Sequence, residues 1–197
     1  MITFNDDGSV ASVNSGNDPL TGVSSFGNDG FIAWGVGKDK YGQFFHYVTG
    51  FPAAYSDLAT LAASQPVAYY DLIGSSTPTA VNITTGATVT GKLTSGTLEA
   101  HFGAGYVNAE LGFDIDGTKL NVTAGNMGFY SAGGALAFYT DAATCTVGVC
   151  SGEVKGFIGT QGLRAGTVYR IYVSGVTLPG PILGTAAFTN RLPAAVQ

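Results

Sequence analysis

Val107-Asn108-Ala109-Glu110-Leu111-Gly112-Phe113-Asp114-Ile115-Asp116-Gly117-Thr118-Lys119-Leu120-Asn121-Val122-Thr123-Ala124 is the stretch whose reading decides the fold. Apolar residues alternate with polar ones and Gly on both sides of Asp116-Gly117, the period of a strand with one buried face. Asp-Gly favours a two-residue type I′ turn, which needs φ > 0 at both positions. Such a turn pairs Ile115 with Thr118, so Phe113 faces Leu120, Leu111 faces Val122 and Ala109 faces Ala124. A slip of one residue would turn the second strand's apolar set to the wrong face, which specifies the register. Asp114 then stands opposite Lys119 on the polar face.

Upstream, Leu98, Ala100 and Phe102 continue the alternation before the turn Gly103-Ala104-Gly105. Further strands are expected at 31–37, 43–49, 67–73, 135–140, 153–159, 167–173 and 182–188, with an extra hairpin over 2–13 around Asp6-Asp7-Gly8. Within 67–73, turning Ala68, Tyr70 and Leu72 inward places Asp71 outward. Glycine accounts for 30 of 197 residues, a surplus that excludes helical bundles and coiled coils. A mean hydropathy of +0.25 with 12% aromatics excludes intrinsic disorder. The expected fold is all-β: an antiparallel up-and-down barrel of about eight strands with a filled interior and long polar loops.

One domain is expected over 1–197, divided into an N-terminal hairpin and loop extension (1–30), the barrel (31–189) and a tail (190–197). Three stretches read as irregular: 14–28, 51–65 and 74–91. The second could hold one or two helical turns capped by Ser56. Its Phe51, Tyr55 and Leu58 are the candidate partner-binding residues, able either to anchor a protein partner or to plug one end of the barrel.

Charged residues make up only 11% of the chain, and the net charge is −5. With no basic stripe to neutralise phosphates, nucleic-acid binding is excluded. No P-loop, Gly-x-Ser-x-Gly elbow or His-Glu-x-x-His motif is present, and the carboxylates occupy turns, so no catalytic residue, metal site or cofactor is assigned. His101 reads as a solvated residue, and His46 as a barrel-exterior histidine whose ligand role is left open. Cys145-Thr146-Val147-Gly148-Val149-Cys150 reads as a small loop closed by a disulfide, the alternative being two free buried thiols. Asn82-Ile83-Thr84 and Asn121-Val122-Thr123 match glycosylation sequons. The start of the chain lacks the basic and apolar regions of a signal peptide, and scarce lysine with abundant Gly, Ser, Thr and Asn suits a piece of an exported protein.

Gly156-Phe157-Ile158-Gly159-Thr160-Gln161-Gly162-Leu163-Arg164-Ala165-Gly166, with Tyr169 following, resembles a signature of transferrin-binding-protein-like β-barrel domains. Gly184-Thr185-Ala186-Ala187-Phe188 is similar to that family's closing strand. Trp34-Gly35 and His46-Tyr47-Val48-Thr49-Gly50 resemble barrel modules at the C-terminal ends of bacterial proteins carrying FecR domains. Thr160, Gly162 and Arg164 stand where the family commonly has Pro, Ala and Glu. The resemblance implies an exported, non-catalytic bacterial surface module, part of a larger protein and linked to iron or host-protein binding. The implied partner is a host or envelope protein, the location extracellular at the cell surface, and membrane association only through a parent protein or anchor. Two other functions compete: a small-ligand barrel carrying haem or lipid, and an integral outer-membrane barrel.

Overall fold

The 107–124 hairpin forms in the expected register. Phe113 pairs with Leu120, Leu111 with Val122, Ala109 with Ala124 and Asp114 with Lys119. Asp116 (φ 50°) and Gly117 (φ 78°) both adopt the positive φ of the type I′ turn. The structure is a computed structural model that describes residues 2–4, 10–13, 18–19, 23–38, 41–42, 44–81, 86–174 and 180–191. The turn at Asp6-Asp7-Gly8, the sequon Asn82-Ile83-Thr84 and tail residues 192–197 lie outside the described residues.

The strands are β1 (Ile2–Phe4), β2 (Val10–Val13), β3 (Asp18–Pro19), β4 (Val23–Asn28), β5 (Ile32–Lys38), β6 (Phe44–Gly50), β7 (Val67–Ser75) and β8 (Thr79–Val81). They continue as β9 (Thr88–His101), β10 (Tyr106–Ile115), β11 (Thr118–Ala132), β12 (Ala135–Thr140), β13 (Thr144–Cys145), β14 (Val149–Ile158), β15 (Arg164–Ser174) and β16 (Ile182–Asn190). A helix, α1 (Leu58–Ser64), separates β6 from β7. Eight strands close an antiparallel ring in the order β7, β9, β10, β11, β12, β14, β15, β16 and back to β7. β1 and β2 pair antiparallel, as expected for the 2–13 hairpin, and β3 joins β2.

Two expected barrel strands lie outside that ring. β5 and β6 form a separate sheet with β4, so the ring begins at Val67 rather than at residue 31. Stretch 14–28, expected to be loop, contains β3 and β4. Stretch 74–91 likewise supplies β8, which takes up the slot between β16 and β9 where β7 leaves it. Between the pairs Ser75↔Ala186 and Thr79↔Leu183 the chain advances four residues on one side and three on the other. One barrel strand therefore carries a bulge. There Ser76 replaces the ladder: its N–H donates to Thr185 O (3.2 Å) and its Oγ accepts from Thr185 N–H (3.0 Å).

Side chains fill the ring. Tyr70, Phe113, Phe138, Phe188, Leu98 and Met127 are each at most 1% exposed, and Ala100, Ala109 and Ala124 occupy the crowded positions between them. The outer wall carries exposed Lys92, Glu110, Lys119, Asn121, Lys155 and Arg170. Charges on a lipid-facing wall destabilise a membrane barrel, so the outward set opposes the outer-membrane alternative.

The small sheet packs on the outside of β15, β16 and β7. Gly166, Ala187 and Gly74 are mutual register partners across those strands, a row of small residues that lets the sheet approach closely. Ile32 and Val48 fill the space over Gly166, and Trp34 lies over Gly74. An ion pair fastens one end. Asp29 accepts N–H bonds from Phe31 and Ile32 (3.0 Å each) and pairs with Arg164, which also donates to Thr189 Oγ1 (2.9 Å). Burial opposes the Asp29 charge, but the Arg164 and backbone bonds outweigh it and hold the carboxyl below its ordinary value.

Cys145 and Cys150 form a disulfide, with Cα atoms 5.4 Å apart. The two cysteines lie on strands that share no ladder: β13 pairs with β11, whereas β14 pairs with β12 and β15. The bridge thus joins β13 to β14 just past the last β12–β14 pair, Thr140↔Val154.

Candidate functional site at the capped barrel end

Residues 51–65 close one end of the ring. A 3-10 turn over Tyr55–Asp57 runs into α1, whose Leu61 is buried against the barrel core together with Ala53. The expected cap, Ser56, lies inside the 3-10 turn; Asp57 instead accepts the Ala54 N–H at 3.1 Å. Below the helix, Tyr70 Oη and Asn190 Nδ2 both donate to Gly162 O (2.8 and 2.9 Å). Burial pushes the Tyr70 hydroxyl well above the ordinary tyrosine range, so it remains a proton donor.

The segment leading into this cap is stitched to the barrel on both sides. Thr160 N–H donates to Phe51 O (2.8 Å) and Ala53 N–H to Ile158 O (2.8 Å) on the β14 side. Towards β12, Leu136 N–H donates to Ala53 O (2.8 Å) and Tyr55 N–H to Gly134 O (2.7 Å). With its backbone so held, the segment turns Phe51 (71% exposed) and Tyr55 (39%) to solvent. Leu58 behaves differently: it is half-buried and packs against the barrel core.

Phe31, 57% exposed, joins this surface and was missed in the sequence, where it reads as the first residue of a strand. Ile32 pairs with Gly50, so Phe31 and Phe51 are the next residues beyond the last ladder pair of β5 and β6. The Arg164 guanidinium lies 5.2 Å from the Phe31 ring centroid, holding it on the barrel end. Aromatic side chains on a fixed backbone supply large contact area at little entropic cost, the chemistry of a protein-recognition surface.

Both histidines are structural neighbours of other groups rather than free. His101 lies 3.0 Å from Glu99 and stacks on Tyr106 at 4.4 Å. His46 bridges the small sheet and the barrel bulge, with Nδ1 2.8 Å from Ser76 Oγ and Nε2 2.8 Å from Thr79 Oγ1. Burial lowers its pKa from 6.5 to about 4, keeping the ring neutral. Both ring nitrogens are engaged by barrel hydroxyls, an arrangement that leaves no lone pair directed at a haem iron. Asp71 points outward as expected and pairs with Arg191, which lowers its pKa.

No protein-family model and no curated protein matches the chain. Among solved structures, it is similar to a double mutant of the vaccine antigen transferrin-binding protein B from Haemophilus parasuis Hp5, at a TM-score of 0.50 and 10% identity. The match covers 96% of this chain and 44% of that one, so the chain spans less than half the length of the structure it resembles. The fold is therefore a β-barrel of the transferrin-binding-protein-B type.

Proposed function

We propose that this chain is a non-catalytic, exported surface module that binds a protein partner through its capped barrel end. The carrying observation is the exposure of Phe51 and Tyr55 on a segment hydrogen-bonded to the barrel on both sides, with exposed Phe31 beside Phe51 under the Arg164 guanidinium. Tyr70 and Phe102 at the same end are buried in the core instead. The disulfide supports an oxidising location, and the fold neighbour's name, a transferrin-binding protein, supports binding of a protein partner. The alternative of a ligand held inside the barrel is opposed by the filled interior.

The test is site-specific photocrosslinking. A benzoylphenylalanine replacing Phe51 is expected to capture one protein species from host serum or a bacterial envelope fraction, and the same probe replacing Lys119, at the far end, is expected to capture none. Equal capture at both positions, or none at either, would count against the assignment.

A further inference from the structure

β6 diverges from the barrel wall. Beyond its C-terminal end the chain is hydrogen-bonded to the end of β14, through Ala53 N–H to Ile158 O and Thr160 N–H to Phe51 O. At its other end, Phe44–His46 stand away from Glu153 and Lys155 of the same β14, leaving a wedge of about 290 Å³. Val168 and Leu183 line it from the barrel wall, Phe44 and Phe45 from β6, and Arg170 completes the rim.

The charge here opposes that of the whole molecule. The chain has 8 Lys and Arg against 13 Asp and Glu, yet this rim holds Lys155 and Arg170 with Glu153. Lys38 adds a third cation, its ammonium 4.6 Å from the centroid of the Phe44 ring that lines the wedge. Among the described residues, neither Lys155 nor Arg170 has an ion-pair partner within 4.0 Å. Register places Glu153 opposite Arg170 and Lys155 opposite Val168, so both cations occupy fixed positions on two adjacent strands. Apolar walls beneath unpaired cations match a ligand with an apolar body and an anionic head.

We propose that this wedge binds a small amphiphilic anion, an aromatic or aliphatic body carrying one sulfonate or carboxylate group. The apolar body lies against Phe44, Phe45, Val168 and Leu183, and the anion meets Lys155 and Arg170. The site is separate from the aromatic barrel end and does not depend on that surface binding a partner.

Two dyes of the same ring system test this in the full chain: 1-anilinonaphthalene-8-sulfonate, and N-phenyl-1-naphthylamine, which lacks the sulfonate. The sulfonate dye is expected to bind saturably at one site and to shift the amide resonances of Phe45, His46, Lys155 and Arg170. Lys155→Gln with Arg170→Gln, both on the exposed wall, is expected to weaken it about tenfold or more, the scale of losing charge-assisted hydrogen bonds. Phe51→Ser is expected to leave the affinity unchanged, which keeps this site distinct from the barrel end. The proposal is overturned by an absence of saturable binding, by resonance shifts confined to other surfaces, by equal binding of the uncharged dye, or by indifference to the two Gln substitutions.

Discussion

The indole of Trp34 packs directly on the backbone of Gly74, where a Cβ would overlap its six-membered ring. Gly27, the ladder partner of Trp34 in its own sheet, leaves room on the other side. The contact explains how a three-stranded sheet docks on a closed barrel without sharing a ladder with it. It also makes the docking separable from the barrel's own stability. Gly74→Ala is expected to destabilise the sheet by about 1–3 kcal/mol, the usual range for overpacking a tight site. Hydrogen exchange would then accelerate over 23–38 and 44–50 while β9–β11 keep their protection; uniform acceleration would contradict a separable sheet.

His46 makes this docking sensitive to acid. Its folded pKa, about 4, lies below the ordinary 6.5, so the unfolded chain takes up the proton first. The stabilisation is complete above pH about 6.5 and is lost as the pH falls through about 4, amounting to about 3 kcal/mol in full. Urea midpoints between pH 7 and 4 are expected to fall more in the parent than in His46→Gln. Parallel profiles would show that the histidine is not the group responsible.

The disulfide closes a short loop, so its effect is small. Cys145→Ala with Cys150→Ala is expected to cost about 2 kcal/mol, measured as a urea midpoint under oxidising conditions. Because the bridge continues the β12–β14 seam, the loss of protection is expected to centre on Thr144–Cys145 and the start of β14. A change confined to the opposite, helix-capped end would not fit.

At the hairpin, Gly117 sits at φ 78° beside open space, so substitution there tests backbone strain alone. Gly117→Ala is expected to cost about 1 kcal/mol in chemical denaturation, with the fold unchanged. No measurable cost would mean that the turn readily adopts another type.

Much of the barrel was legible because strand period and turn chemistry are local. Phe113, Leu120 and Asp116-Gly117 specify their own pairing within a few residues. What local pattern does not encode is the partner against which an apolar face is buried. Ile32 and Trp34 alternate as any barrel strand does, yet they pack on the outside, on Gly166 and Gly74, far away in the chain. The bulge was hidden for a related reason: Ser76 and Thr79 read as loop residues, and only tertiary pairing turns their hydroxyls toward His46. Of the candidate anchors, Phe51 and Tyr55 were visible as aromatics in an irregular segment. Leu58 fell in that segment too but packs on the core, and Phe31 was concealed at a strand start.

The most direct measurement replaces Phe51 and Tyr55 together by Ser and follows melting temperature and partner capture in the same preparation. Exposed anchors predict a melting temperature within about 4 °C of the parent, because Phe51 is mostly exposed and Tyr55 is only partly covered, together with loss of capture. A fall of about 8 °C or more, the scale for truncating buried aromatics in a domain of this size, or capture at the parent level, would contradict the recognition surface.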